Sequence, residues 1–343
     1  MKKKRWTKEE KIFIKEHISS MTIRELADYF NVSYSAMNSR IYNLGINASK
    51  ERGVLWSEDE DKILKEHFEY APKNYLMCLL PNRTWPSITL HANLAYNLHR
   101  KTKDRTYVDY NFFSSWNEYS AYFIGFILAD GHISDKNNYF EISISEQDVD
   151  ILQKLQSLMH FEGTIHQVKP HIIHGLNNKE YISSPKVHIR ITNTKLVEDL
   201  IFKGVPRGNK TYIADFPKDI PDNMVKHCIR GLIDGDGWLS INQKRKSFDL
   251  GLSGTQQMCK HVKEKLPIDC SNIPVVRVKN EQCWRFLLTT RKAIEIAEWL
   301  YEDANIYLDR KYKVYKQAKQ IYDKRRLIRP AYGNVGRTRR ENQ

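Results

Sequence analysis

At 343 residues, 41% hydrophobic and 28% charged, the chain is long enough for two or three domains with cores of their own and needs no disulfide or metal staple. Its 55 Lys and Arg against 41 Asp and Glu leave a formal charge of +14 and a pI near 9.3, a field that attracts polyanions, nucleic acid first among them. The five cysteines are widely spaced and include no CxxC pair, which speaks against a zinc site or disulfide framework and for a reducing cytoplasm; no run reaches the length of a membrane span.

The opening MKKKR is followed by WTKEEKIFIKEH where a signal peptide would carry its apolar stretch, so it reads as a basic arm. Residues 6–17, WTKEEKIFIKEH, return fifty residues on as WSEDEDKILKEH at 56–67, an internal repeat. Thr7 with Glu10, and Ser57 with Glu60, have the capping-box spacing, so a helix starts directly after each Trp. RIYNLG (40–45) and LAYNLH (94–99) close the two copies with a shared YNL. In the first copy a capped helix from Thr22, a turn at Asn31-Val32-Ser33 and a second helix give a helix-turn-helix layout within a three-helix unit. The copies, residues 1–50 and 51–103, resemble Myb/SANT-like or helix-turn-helix repeats. On that resemblance the last helix of each supplies groove contacts, Asn38, Arg40 and Asn43 in the first and Asn93, Asn97 and Arg100 in the second, to bases or to phosphates. A protein-interaction module is the other use of such a unit. KTKDRTYVDYN (101–111) is polar and charge-rich and reads as a linker, placed at 104–114.

GFILADG (125–131) aligns with GLIDGDG (231–237) in single register. Gly125 and Ala129, like Gly231 and Gly235, lie four apart and share one helix face, a small face that lets two helices cross backbone to backbone. Gly131 and Gly237 are expected to end the helices in the left-handed conformation. Asp130 and Asp236 then sit at the last turns, facing the negative end of each dipole and each other. A divalent cation relieves both repulsions, and hard carboxylate oxygens suit Mg²⁺ (or Mn²⁺).

As FIGFILADG (123–131) and IRGLIDGDG (229–237), the segments resemble the paired motifs of single-chain LAGLIDADG homing endonucleases. After each motif come an alternating strand pair, a helix, another strand pair and a helix, as YFEISIS, VDILQKLQSLM, KVHIRIT and TKLVEDLI in the first half. AEWLYEDANIYLDRKY (297–312) also resembles the end of family members. The resemblance implies an α+β fold: two pseudo-symmetric αββαββα half-domains, 115–215 and 216–325, whose antiparallel sheets form a DNA-binding saddle, preceded by the two small three-helix units and followed by a basic tail, 326–343. It assigns metal binding and catalysis to Asp130 and Asp236, with the carbonyls of Ala129 and Gly235 as further ligands and Gly125, Ala129, Gly231 and Gly235 at the helix interface. The sixth motif position is Asp234 in one copy and Leu128 in the other, which argues for asymmetry between halves rather than inactivity. Outward basic residues to line the saddle are His188, Lys244, Arg245, Lys246, Arg277 and Lys279. Arg190 and Arg285, near the ends of the last strands, are candidates for assisting the active sites, for phosphate contacts or for solvated positions. The expected function is a metal-dependent, site-specific double-strand DNA endonuclease, a cytoplasmic monomer acting on the nucleoid. The alternatives are an RNA maturase acting on intron RNA and a non-cleaving DNA-binding regulator.

Overall fold

The structure, a computed structural model, describes residues 6–18, 21–46, 56–101, 106–174, 180–242, 247–278 and 283–328. Lys244, Arg245, Lys246, Lys279 and the tail beyond Ile328 lie outside these residues. The chain forms two units, residues 1–66 and 67–343.

The first unit holds α1 (Lys8–His17), α2 (Ile23–Tyr29) and α3 (Tyr34–Asn43). Thr7 and Glu10 cap α1 reciprocally, and Thr22 and Glu25 do the same for α2, each pair satisfying two otherwise unpartnered backbone donors. Asn31 takes the left-handed conformation at φ 49° between α2 and α3. Ile14, Leu26, Met37 and Ile41 form the buried core, ringed by Trp6, Phe13 and Phe30. The next helix, α4 (Glu58–His67), opens on a third reciprocal cap, Ser57 with Glu60.

The second unit continues with α5 (Lys73–Leu79) and α6 (Trp85–Tyr96). The stretch expected to be a solvated linker is instead packed from residue 106 on. Val108, Tyr110 and Phe113 are buried, the Asp109 N–H donates to the Met159 carbonyl at 2.7 Å, and Glu162 N–H donates to the Tyr107 carbonyl at 3.1 Å. The apolar residues there alternate with polar ones, so an average over the window hides them.

Two halves follow with the same order of elements. The first comprises α7 (Glu118–Asp130), β1 (Gly131–Ile133), β2 (Tyr139–Ser145), α8 (Val149–Leu158), β3 (His166–Val168), β4 (Ile172–His174), β5 (Glu180–Ile182), β6 (Lys186–Thr192) and α9 (Thr194–Phe202). The second comprises α10 (Asp222–Asp236), β7 (Gly237–Asn242), β8 (Ser247–Gly254), α11 (Gln256–Glu264), β9 (Val276–Arg277), β10 (Trp284–Thr289), α12 (Thr290–Tyr301) and α13 (Asp309–Ile328). Each half carries one four-stranded sheet, ordered β1-β2-β6-β3 and β7-β8-β10-β9, with every pairing antiparallel. The fold is therefore α+β with two αββαββα halves, as expected. The first half adds a separate two-stranded ribbon, β4-β5, between β3 and β6. Ile142 and Ile144 of β2 are buried, as are Val187, Ile189 and Ile191 of β6. The alternate residues form the opposite, more open face, as period-two geometry requires.

The motif helices α7 and α10 cross with their backbones almost touching. A Cβ added at Gly125 would stand 2.1 Å from the Cys228 carbonyl oxygen, and one at Gly231 would stand 2.0 Å from that of Tyr122. Backbone on both sides leaves nothing flexible to move aside. Gly231→Ala should therefore lower stability by about 1–3 kcal/mol or more, read as a reduced urea midpoint, whereas alanine at the exposed Gly45 has open space to enter and pays only for its positive φ.

Gly131 and Gly237 correct the expectation of left-handed caps. Their φ values are −93° and −92° with extended ψ, a conformation open to any residue. Glycine is needed there for space: a Cβ would come within 2.8 Å of the Ile127 backbone in the first case and within 2.7 Å of the Ile233 backbone in the second. Each helix thus turns into its strand in one step, without an intervening loop.

Candidate active site

That abrupt turn holds Asp130 and Asp236 at the final residues of α7 and α10, beside each other where the helices have crossed. A Cβ at Gly235 would lie 2.3 Å from the Ala129 Cβ and 3.1 Å from an Asp130 carboxylate oxygen. The two small residues therefore set how closely the acids approach. Protein crowding raises the Asp130 pKa, with nearby Lys210 opposing it. The same desolvation, reinforced by Asp130, pushes Asp236 up to about 6, although its side chain still opens to solvent. Burial and neighbouring charges are the leading influences on both carboxylates. A pair of mutually repelling carboxylates at the mouth of a cleft is a donor set that fits a small divalent cation. A cleft of about 290 Å³ leads to Asp236 past Leu128, Lys210 and Thr255.

Two lysines complete the site, and sequence reasoning missed both. Lys210 Nζ donates to the carbonyls of Ile127, Leu128 and Ala129 at 2.7, 2.6 and 2.5 Å. Lys311 Nζ donates to the carbonyls of Ile233, Asp234 and Gly237 at 2.6, 2.7 and 2.6 Å, with Gly235 at 3.5 Å. Each ammonium therefore caps the negative end of one motif helix. Burial lowers both pKa values to about 8 against the opposing pull of the aspartates. The carbonyls of Ala129 and Gly235, expected as metal ligands, face these ammonium groups. The Ala129 carbonyl is engaged by its ammonium at 2.5 Å, whereas that of Gly235, 3.5 Å from Lys311, keeps its donor capacity beside the carboxylates.

The two lysines are held differently. Arg207 donates to the Ser134 and Asn137 carbonyls and to the Asn138 side chain, and Gly208 N–H to the Ile133 carbonyl, tying the Lys210 segment to the β1–β2 turn. Lys311 opens α13, whose first residues reach the other half: Asp309 meets Lys154 at 2.7 Å and Arg310 meets Asp148 at 2.9 Å. Asp234 is fully enclosed beneath Lys311. It accepts from Tyr122 Oη at 2.8 Å, Tyr301 Oη at 2.6 Å and Leu308 N–H at 2.8 Å.

The remaining candidates separate by register. On the open face of the first sheet, His132, Glu141 and Arg190 form one row across β1, β2 and β6, and Ser143, His188 and His166 form the next. Arg190 is paired with Glu141 at 2.7 Å and stacked on Tyr139. In the second sheet Arg285 lies opposite Ser253 and Val276. Gly131 faces Ile142 as Gly237 faces Leu252, and these in turn face Ile189 and Phe286. By that correspondence Arg285 is the counterpart of His188, while the counterpart of Arg190 is Leu287. Arg190 and Arg285 are therefore not an equivalent pair, and neither meets the aspartates as the lysines do. Arg277 pairs with Trp284, which puts it on the face opposite Arg285, away from the expected saddle surface.

Among the helical residues, Asn38 and Asn43 are exposed on α3. The Arg40 guanidinium lies 5.9 Å from the centre of the Trp6 ring and belongs to the packing of its unit. Asn93 is half-buried on α6. Asn97 ends α6 in the left-handed conformation, φ 53°. Arg100 donates to the Phe68 carbonyl and stacks on Phe68 and Trp85, so it clamps its own unit rather than projecting from it. Among the described residues no helix is long and apolar enough to cross a membrane.

Comparison with known proteins bears on the same region. Subunit Rpo1C of the DNA-directed RNA polymerase of Methanocaldococcus jannaschii is 30% identical over 182 residues, 52% of this chain and 17% of that protein. The chain thus spans only a small part of that curated relative. Among solved structures, the I-LtrWI LAGLIDADG homing endonuclease bound to target DNA has 13% identity and a TM-score of 0.41, covering 64% of this chain and 92% of that one. The N-terminal LAGLIDADG domain of DUF199/WhiA has 14% identity and a TM-score of 0.34, covering 57% and 86%. Residues 117–201, which carry α7 and Asp130, match the LAGLIDADG-like domain family.

Proposed function

We propose that the protein is a site-specific double-strand DNA endonuclease with one active site per strand, in line with the LAGLIDADG-like match of its first half. The observation that carries this reading is the duplicated constellation at the ends of the crossed helices: Asp130 and Asp236 stand beside each other, Lys210 spans the last carbonyls of the Asp130 helix, Lys311 spans those of the Asp236 helix, and both acids feel both lysine charges. Asp130 and Asp236 would hold a divalent cation, Mg²⁺ or Mn²⁺, which when bound supplies charge neutralisation at the phosphodiester and a more acidic water. Lys210 and Lys311 place two positive charges beside the cleft with pKa values of about 8, close enough to neutrality to stabilise developing charge or relay a proton there. The open faces of the sheets, with His188, Arg190 and Arg285, would hold the duplex. Asn38 and Asn43 of the first unit would lengthen the footprint. In this reading the protein works as a monomer on nucleoid DNA in the cytoplasm.

The test is incubation of the full chain with its own flanking genomic DNA, with and without Mg²⁺, followed by mapping of both cut strands. Lys210→Met and Lys311→Met should each slow cleavage about 100-fold or more while retaining binding, and should leave mainly nicked product because one site survives. Tight binding by the wild type with no nicking at any Mg²⁺ or Mn²⁺ concentration would instead assign the non-cleaving role.

A further inference from the structure

The row of the open face nearest the helix ends has opposite chemistry in the two halves. In the first sheet it reads His132, Glu141, Arg190, with an ion pair at its centre. In the second, the matching positions are Trp238, Gly251 and Leu287. Gly251 is required by its neighbour: a Cβ there would stand 2.2 Å from the Trp238 ring, so the indole lies flat across the strand instead of standing away from it. Beside it Leu287 is 41% exposed, and Val276 in the adjoining row is 42% exposed. Single exposed apolar residues are ordinary. An aromatic plate laid over a glycine and continued by an exposed leucine, on a face where the sister half presents charge, is a shaped apolar strip.

Resting on the reading that these faces hold duplex DNA, we propose that Trp238 and Leu287 recognise the 5-methyl group of a thymine in the half-site nearest the cut, while Glu141 and Arg190 address a G·C pair at the corresponding place in the other half-site. The chemistry of the major groove supports the division. Its edges carry donors and acceptors at every base pair, and the thymine methyl is the one apolar group they present. Arginine suits guanine O6 and N7, and a carboxylate accepts from cytosine N4. The ion pair across Glu141 and Arg190 holds both groups in register for neighbouring bases of one pair. Leu287 and the indole offer no hydrogen-bonding group directed across that strip except the indole N–H, so a polar base edge placed there would lose its water without a replacement. The two halves therefore select different base pairs at matched positions, and the target is asymmetric next to the scissile bonds.

The test selects binding sites from random duplexes with the full chain, without divalent cation so that they stay intact. Thymines of the selected site are then replaced one at a time by deoxyuridine, which removes only the methyl. At one thymine close to the centre, on one side only, the affinity should fall about fourfold, the value of one buried methyl at roughly 0.8 kcal/mol. In Leu287→Ser, whose side chain is exposed and whose loss leaves the core intact, the thymine and deoxyuridine duplexes should bind equally. A selected site with no methyl-sensitive thymine near its centre, or an undiminished fourfold difference in Leu287→Ser, overturns the assignment while leaving the endonuclease reading standing. Failure to select any sequence overturns both.

Discussion

Asp236→Asn is expected to abolish double-strand cleavage, by about 1,000-fold or more, leaving at most nicked DNA, and at the same time to raise the melting temperature of the metal-free protein. The two effects have one cause. Burial in a crowded cleft, reinforced by the charge of Asp130, pushes the Asp236 pKa up to about 6 from the ordinary value of 3.8. Because the folded state then binds the proton more tightly than the unfolded chain, the carboxyl contributes no penalty below about pH 3.8. Its cost grows as pH rises from there through about 6, and it is constant above. Water still reaches the side chain through the cleft, so the full shift overstates the cost, and about 1 kcal/mol at neutral pH is the expected net value. Asparagine removes both the desolvated charge and its repulsion of Asp130. Differential scanning fluorimetry in EDTA should show a gain of about 2 °C at pH 7.5, shrinking to nothing near pH 4. Mg²⁺ should stabilise the wild type more than the variant, since ligand binding to the folded state alone raises stability by mass action. A variant that melts lower than wild type at pH 7.5 would mean that Asp236 is held by favourable contacts and is not a strained ligand.

What the sequence disclosed and what it hid follow from the range of the forces involved. The helix crossing was legible because close approach acts at fixed helical spacing, so Gly125 with Ala129 and Gly231 with Gly235 are marked locally and twice. The alternating strands and the capping boxes at Thr7 and Ser57 are equally local. Lys210 and Lys311 were not legible from the motifs, because each reaches its helix end only after a whole half-domain has folded back. The available signal is positional: Lys210 follows α9 and Lys311 follows α12, the helices that close the two αββαββα halves, and each stands close before a tyrosine, Tyr212 or Tyr312. Arg190 and Arg285 share in the sequence only a place near the ends of the last strands. Strand ends are set by loops, whereas correspondence is set by pairing, and pairing matches Arg190 with Leu287. The commonest rule for helix ends points the glycines after Asp130 and Asp236 to left-handed backbone. Their true constraint is the space left by Ile127 and Ile233, which depends on a helix running straight into a strand. In the stretch from 106 to 113, charge hid a packed segment.

The difference between Asp234 and Leu128 leads to the second large effect. Asp234 is enclosed completely and is raised in pKa by that burial, with Lys311 as the nearest countercharge. Its carboxylate nevertheless satisfies three donors from three places: Tyr122 on α7, Tyr301 at the end of α12 and Leu308 just before α13. It is thereby the joint that fixes the start of α13, and with it Lys311, against both motif helices. Asp234→Leu, which copies the first half, should destabilise the protein by about 3–5 kcal/mol, because two hydroxyls, an amide and the Lys311 ammonium lose a buried acceptor or countercharge together. Equilibrium urea unfolding measures it. The first half does without this acid because Arg207 and Gly208 tie the Lys210 segment to the β1–β2 turn instead. The substitution should consequently damage one active site more than the other: at temperatures where the variant remains folded, cutting should slow on the strand served by Lys311 and persist on the strand served by Lys210, giving nicked DNA. Equal slowing on both strands would show that Asp234 supports the whole helix pair and not the lysine above it. Asp234→Asn keeps the shape and one acceptor oxygen, so it should fall between the two in stability and retain more of the wild type's cutting of both strands.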